Sequence, residues 1–205
     1  MAAIYFVRHG KTDYNVGKRL QGTTDTPINA LGREQAKRNG GLLNELIADK
    51  PRMDFVASPL ARACQTMEIV REAMGLEPGA YRTDARLREI DFGAWSGLTM
   101  VQVRERDPAG YARQQADLWN NPPTGGECVR DLSARAVSWL ESVTRDTVAV
   151  SHGGISRSLR AHILKLTPAE QVQLDVPQDK IMLIENDDLR SSRPEGGRAY
   201  KLTWL

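Results

Sequence analysis

Short apolar runs alternate with longer amphipathic stretches along nearly all of this 205-residue chain, and nothing else in the sequence limits its fold so tightly. The apolar runs are Ala3 to Val7, Met53 to Ala57, Thr147 to Val150, Ile181 to Ile184 and Ala199 to Trp204, each of strand length. Between them, helical spacing or composition predicts helices over Leu31 to Leu46, Leu60 to Met74, Glu127 to Val143 and Ile155 to Leu166. Asn29 is a candidate N-cap for the first of these, and Gly40 and Gly41 weaken its interior. Thr99 to Trp119 reads as helix broken at Pro108, and Pro168 suits the first turn of another helix. Leu87 to Phe92 reads as extended, Asn120 to Gly126 as a loop, and Arg190 to Arg198 as a polar turn. Strands alternating with helices predict an α/β chain, a three-layer α/β/α sandwich with a mostly parallel central sheet. No linker, repeat or low-complexity tail divides it, so residues 1–205 are expected to form a single domain.

Composition narrows the function. With 40% hydrophobic and 26% charged residues, the chain can build a core and is not disordered. Its 28 basic and 26 acidic residues leave a net charge of only +2, without the basic block expected of a nucleic-acid or membrane-surface binder. Cys64 and Cys128 make no disulfide framework, and no Cys-x-x-Cys or His-rich tract offers metal spacing. The N-terminus lacks signal-peptide organisation and no apolar run reaches membrane-spanning length, so the expected compartment is the cytoplasm.

Ligands of open α/β sheets sit outside the carboxyl ends of the strands. Three predicted strands run out there at His9, Ser58 and His152. Arg8 brings a permanent cation with a planar fork suited to phosphate oxygens, and Gly10 permits a tight turn beside it. Ser151-His152-Gly153-Gly154 opens a helix, whose first N–H groups attract anions. Arg62 lies near a helix start, where the helix dipole disfavours a cation and a bound anion would relieve the conflict. Glu89 offers a carboxyl for proton transfer. Each also has a plain structural reading: a capping histidine, a solvated arginine, or a glutamate paired with Arg86 or Arg88.

Taken together the blocks exceed what chance supplies. Arg8-His9-Gly10-Lys11-Thr12 with Asn15, Gln21-Gly22, Asp25-Thr26-Pro27-Ile28-Asn29 and Leu31-Gly32-Arg33-Glu34-Gln35-Ala36 stand in order. Ser58-Pro59-Leu60-Ala61-Arg62-Ala63-Cys64-Gln65-Thr66, Leu87-Arg88-Glu89-Ile90, Phe92-Gly93, Gly125-Gly126-Glu127 and Ser151-His152-Gly153-Gly154 follow. This series resembles the histidine phosphatase superfamily, the phosphoglycerate mutase-like proteins. The resemblance implies that His9 takes the phosphoryl group and that Arg8, Arg62 and His152 hold its oxygens, assisted by Asn15 and the Gly153 amide. It implies that Glu89 is the general acid and base and that Gln21, Gly22 and Thr23 lie near the substrate. It further implies a small-molecule phosphate monoester as partner, with neither metal nor cofactor.

Lys11 after the Arg-His-Gly block, and Gly153 after His152, resemble the mostly cytoplasmic branch rather than the secreted acid phosphatases and phytases. His152-Gly153-Gly154 in place of His-Gly-Asn, and the short segment from Glu89 to Gly125, favour a phosphatase. A phosphoglycerate mutase remains the alternative reading, with Arg104 and Arg113 as its extra contacts, and a non-catalytic phosphate binder the third. Trp95, Tyr111 and Trp119 are expected either to pack normally or to form a partly apolar lid. His162 reads as a packed structural histidine and Cys128 as a thiol near the pocket mouth. Monomer and homodimer are both open.

Overall fold

The structure, a computed structural model, describes residues 2–186 and 200–205, so the expected turn at Arg190 to Arg198 lies outside the described residues. The elements run β1 (Ala3–Arg8), α1 (Asp13–Val16), α2 (Ala30–Leu46), β2 (Asp54–Ala57), α3 (Ala61–Ala73) and β3 (Arg82–Thr83). After them come α4 (Met100–Arg106), α5 (Pro108–Ala116), α6 (Val129–Ser142), β4 (Thr147–Ser151), α7 (Gly153–Leu164), α8 (Pro168–Gln173), β5 (Ile181–Asn186) and β6 (Tyr200–Trp204). The six strands lie in the order β3-β2-β4-β1-β5-β6. β1, β2, β3 and β4 are mutually parallel, whereas β5 and β6 close one edge antiparallel.

Alternation along each strand builds two cores. Ile4, Phe6, Val56, Ala149, Met182 and Ile184 face α6 and α7, meeting Leu132, Trp139, Leu140, Ile155 and Leu159. Val7, Phe55, Ala57, Val148, Val150 and Ile181 face α2 and α3, meeting Leu43, Ala63, Met67 and Val70. A strand buried on both sides reads as a continuous apolar run, which is why β1 and β4 were legible. The result is the expected three-layer sandwich with a mostly parallel sheet.

Local signals hold at several ends. Asn29 Oδ1 accepts from the Gly32 amide at 3.0 Å as the N-cap of α2. Pro108 separates α4 from α5 and stands in the first turn of α5, as Pro168 does in α8. Two expectations fail. Leu87 to Phe92 joins no sheet: it follows a 3-10 turn at Ala85–Leu87 and crosses the carboxyl edge as a loop. The edge strand β3 has only two residues, both exposed, so it leaves no apolar run in the sequence. Helical spacing of Leu31, Gln35/Ala36, Leu42/Leu43 and Leu46 predicts the inward stripe of α2, and the structure displaces it: Leu31 and Leu46 are exposed, and the buried face is Gly32, Ala36, Asn39, Gly40 and Leu43.

That displacement explains Gly40. A Cβ there would stand 2.7 Å from both Ala73 Cβ and the Val70 carbonyl oxygen, so a bare Cα is what lets α2 lie against α3. A Cβ on Gly41 would meet nothing within 4 Å. Alanine in a helix interior gains roughly 0.5–1 kcal/mol over glycine, whereas overpacking against backbone costs roughly 1–3 kcal/mol. Gly41→Ala should therefore raise the urea midpoint and Gly40→Ala should lower it. Equal shifts in the two variants would show that the α2–α3 contact is not as close as described.

Candidate active site

The parallel pairing of three strands assembles the site. β1 and β2 flank β4, with Arg8 opposite Ser151 and Ala57 opposite Val150. The ladder continues one residue further, since the His9 amide donates to Ser151 O at 2.8 Å and the Ser58 amide to Val150 O at 2.9 Å. His9, Ser58 and His152 therefore emerge side by side at the carboxyl edge. The His9 and His152 rings lie 5.1 Å apart between centroids.

Both histidines are buried, and their rings are held differently. His9 Nδ1 lies 2.8 Å from Gly10 O. A carbonyl only accepts, so the proton sits on Nδ1 and Nε2 carries the free lone pair. His152 Nε2 lies 2.7 Å from Ser58 Oγ, and its Nδ1 is buried with no hydrogen-bond partner among the described residues. Burial pushes the His9 pKa well below the usual range, reinforced by the charges of Arg62 and Arg8. Burial does the same to His152, aided by His9, Arg62, Arg8 and Arg135.

The arginines are pinned with one edge left over. Arg62 is fully buried; its two terminal nitrogens donate to Gly22 O at 2.7 Å and Thr24 O at 2.8 Å. Arg8 donates to Val176 O. In both, Nε is buried without a partner among the described residues. The expected clash between Arg62 and the α3 dipole has an internal answer: Asp25 Oδ1 accepts from the Ala61 amide at 2.6 Å, placing a carboxylate at that helix start.

Glu89 is not paired with Arg86, which binds Asp84 at 2.7 Å. Its carboxylate sits at the start of α7, where the Gly154 amide reaches Oε1 at 3.1 Å and Oε2 at 3.2 Å. Oε1 also accepts from the Ile90 amide at 2.9 Å. A Cβ on Gly154 would stand 2.3 Å from Oε1, so the glycine makes room for this carboxylate.

Of the loop residues, Gln21 is buried and its Oε1 takes hydroxyl hydrogens from Thr12 and Thr26, both at 2.8 Å. Asn15 closes the capping box of α1 with Thr12. Gly22 offers its carbonyl to Arg62, Gly153 opens α7, and Thr23 lines a pocket. That pocket, about 350 Å³, lies beside Glu89 and is lined by Thr23, Arg88, Asp91, Gly125, Glu127 and Arg135, among others. The partly apolar lid is absent from its walls. Trp95 is buried with Nε1 donating to Asp107 at 2.8 Å, Tyr111 stacks with Arg104, and Trp119 lines a separate groove beside α6. Cys128 is 4% exposed, too buried for the expected place at a pocket mouth. His162 is half-buried beside the same groove as Trp119.

Sequence reasoning missed Gln178, whose Nε2 donates to His9 O at 3.0 Å across 169 positions of chain. It also missed Arg135 on α6. Neither carries a local signal, because the backbone carbonyls that each one holds lie 46 or more positions away in the chain. Among the described residues no group of three or more His, Cys, Asp or Glu is placed to hold a metal ion. None of the described helices is long and apolar enough to cross a membrane.

Paired histidines and arginines at the carboxyl edge of a three-layer sheet define the class, an α/β/α enzyme of the histidine phosphatase type. The profile of the histidine phosphatase superfamily (branch 1) matches residues 4–192, and the chain belongs to that family. It is 36% identical over 180 residues to a glucosyl-3-phosphoglycerate phosphatase of Mycobacterium tuberculosis, covering 81% of this chain and 77% of that one. It is 31% identical over 188 residues to a 2,3-bisphosphoglycerate-dependent phosphoglycerate mutase of Rhizobium etli, covering 86% and 87%. The solved structure of mycobacterial glucosyl-3-phosphoglycerate phosphatase in complex with VO3 superposes with a TM-score of 0.76 at 31% identity, covering 98% of this chain and 97% of that one.

The buried histidines set a pH dependence. Their folded pKa values are depressed, so below about pH 6.5 the unfolded chain binds protons that the folded chain refuses. Their contribution is fully present above about pH 6.5 and is lost as pH falls from there toward the folded values. For one such histidine the loss between pH 6.5 and 5.5 is about 1 kcal/mol. Urea unfolding at those two pH values should show a smaller drop in His152→Asn than in the parent chain. An identical drop would mean that His152 is protonated in the folded state.

Proposed function

We propose that this chain hydrolyses phosphate monoesters of small polar molecules in two steps, through a phosphoryl group carried on Nε2 of His9. The observation that carries the reading is a set of three buried nitrogens without partners among the described residues, Arg8 Nε, Arg62 Nε and His152 Nδ1. They belong to the side chains around a histidine whose Nε2 is free. Leaving such atoms unpaired costs roughly 1–3 kcal/mol each, and an incoming phosphoryl group removes that cost.

In the first step neutral His9 Nε2 attacks phosphorus and the ester oxygen departs, taking a proton from the Glu89 carboxyl. Arg8 and Arg62 offset the charge spread over the phosphoryl oxygens, and His152 donates from Nδ1. Ser58 Oγ accepts from the Leu60 amide at 3.4 Å, and in this reading it donates its own hydrogen to His152 Nε2, 2.7 Å away, which keeps the imidazole proton on Nδ1. In the second step water attacks the phosphohistidine, Glu89 takes its proton, and phosphate leaves with His9 restored. Oε2 of Glu89 has one long backbone contact against two for Oε1, so Oε2 is the oxygen that handles the proton.

The polar lining beside Glu89 favours a hydroxylated or charged leaving group over an apolar one. Glucosyl-3-phosphoglycerate, the compound in the name of the Mycobacterium tuberculosis relative, is the first substrate to assay. Asn15 and the Gly153 amide assist at the phosphoryl group, and Gly22 and Thr23 border the leaving group, while Gln21 shapes their loop from within. Gly153 is the first residue of α7, and the carboxylate of Glu89 occupies the Gly154 amide beside it.

Rapid quench with a labelled monoester should trap an acid-labile, base-stable adduct on His9. His9→Ala should lose at least about 10⁴-fold in kcat while keeping its far-ultraviolet spectrum. Turnover preserved in that variant would sink the nucleophile assignment. The mutase reading, which similarity to the Rhizobium etli protein keeps in view, shares this adduct and differs in the acceptor. Given 3-phosphoglycerate with a 2,3-bisphosphoglycerate primer, the chain should release phosphate and form little 2-phosphoglycerate. Fast isomerisation with scant free phosphate would replace hydrolysis by transfer.

A further inference from the structure

Glu89 stands on a stretch without regular structure. Between the 3-10 turns at Ala85–Leu87 and Gly93–Trp95 the chain forms neither helix nor strand, so its carbonyls have no ladder to join. One side chain of α6 takes three carbonyls around it. Arg135 Nη1 donates to Arg86 O at 2.7 Å and to Arg88 O, and Nη2 donates to Glu89 O at 3.1 Å. Its other edge grips Glu127, with Nε to Oε1 and Nη2 to Oε2 both at 2.8 Å. Glu127 is itself tied to the same stretch, since its amide donates to Asp91 O at 2.8 Å. A guanidinium has five N–H groups, and all five are used here.

We propose that Arg135 is the positioning residue of Glu89, a planar clamp that fixes the backbone behind the carboxyl and touches no substrate. This rests on the reading of Glu89 as proton donor. The carboxyl end is already held by the Gly154 and Ile90 amides, and Arg135 holds the backbone end. Only when both are fixed is the carboxyl confined to one place, and displacement by about 1 Å can cost on the order of 100-fold in rate. Arg135 lines the pocket, yet it has no hydrogen left for a ligand, so its loss should not weaken substrate binding. Glu127 balances the clamp's charge within the half-buried pair, whose side chains are 21% and 20% exposed. Lysine keeps the charge but is a point donor that cannot span the carbonyls and Glu127 together.

The test compares an alkyl phosphate, whose alkoxide needs a proton to leave, with 4-nitrophenyl phosphate, whose leaving group does not. Arg135→Lys and Arg135→Met are measured beside Glu89→Gln and the double variant Arg135→Lys/Glu89→Gln. Arg135→Lys should lose about tenfold or more in kcat/KM on the alkyl ester, with kcat/KM on the nitrophenyl ester nearly unchanged, because kcat/KM reports the phosphorylation step and the water step is common to both esters. Arg135→Met should lose more than Arg135→Lys. In the Glu89→Gln background Arg135→Lys should cost nothing further. Equal losses of kcat/KM on both esters would make Arg135 a general brace, a raised KM on both would make it a substrate contact, and an undiminished loss without Glu89 would place its effect elsewhere. Each of these overturns the proposal while Glu89→Gln still discriminates between the esters. Failure of Glu89→Gln to discriminate would overturn the proton-donor reading and the clamp with it. Arg135→Lys carries the comparison if Arg135→Met does not fold.

Discussion

Everything at this site depends on the parallel pairing of β4 with β1 on one side and β2 on the other. Backbone bonds from His9 to Ser151 and from Ser58 to Val150 extend that ladder past the last residue of each outer strand. A slip of one residue would turn His9 and His152 to opposite faces. Register is protected from both sides, because β1 and β4 bury alternate residues in two separate cores. The positions of the histidine rings are therefore enforced by the packing of Phe6, Val7, Val148 and Ala149, which make no contact with a ligand in the proposed reaction.

That scaffold concentrates positive charge where water is excluded. Arg8 and Arg62 lie beside two histidines whose protonation they oppose; burial lowers the pKa of both arginines, and the charge of Glu89 at the start of α7 works against that lowering. The guanidinium groups are not left wholly bare. Carbonyls of Gly22, Thr24 and Val176 hold them, and each keeps a buried Nε without a partner among the described residues. Preorganised donors of this kind stabilise developing charge without having to reorient at the moment of reaction.

Loops complete what the sheet begins. Val176 and Gln178, just before β5, hold Arg8 and the His9 carbonyl, and Leu174 and Asp175 carbonyls hold Arg157 and Arg160 at 2.7 and 2.6 Å. The Glu89 stretch is fastened in turn by α6 and by Glu127. Irregular segments placed at a strand edge have carbonyls to satisfy, and here arginines drawn from distant parts of the chain satisfy them. Positioning of the candidate acid and nucleophile is thus a property of non-local contacts.

The sequence by itself determined the layer architecture, because apolar runs of strand length alternating with amphipathic stretches have few other ways to bury both faces. Ordered blocks such as Arg8-His9-Gly10 and Ser151-His152-Gly153-Gly154 marked the site, since their spacing follows the strand ends. It did not determine which face of α2 turns inward, because Gly32, Ala36 and Gly40 bury closely without the hydrophobicity that reveals a stripe. Nor did it reveal that Leu87 to Phe92 leaves the sheet, for an apolar and polar alternation there looks like strand until its neighbours are known. Only the tertiary structure decided that Trp95, Tyr111 and Trp119 stand away from the pocket beside Glu89, and that Arg135 and Gln178 stand behind Glu89 and His9. The placement of Arg135 and Gln178 rests largely on hydrogen bonds to backbone carbonyls, and a carbonyl is the same in every residue, so no pattern of side chains along the chain can announce it.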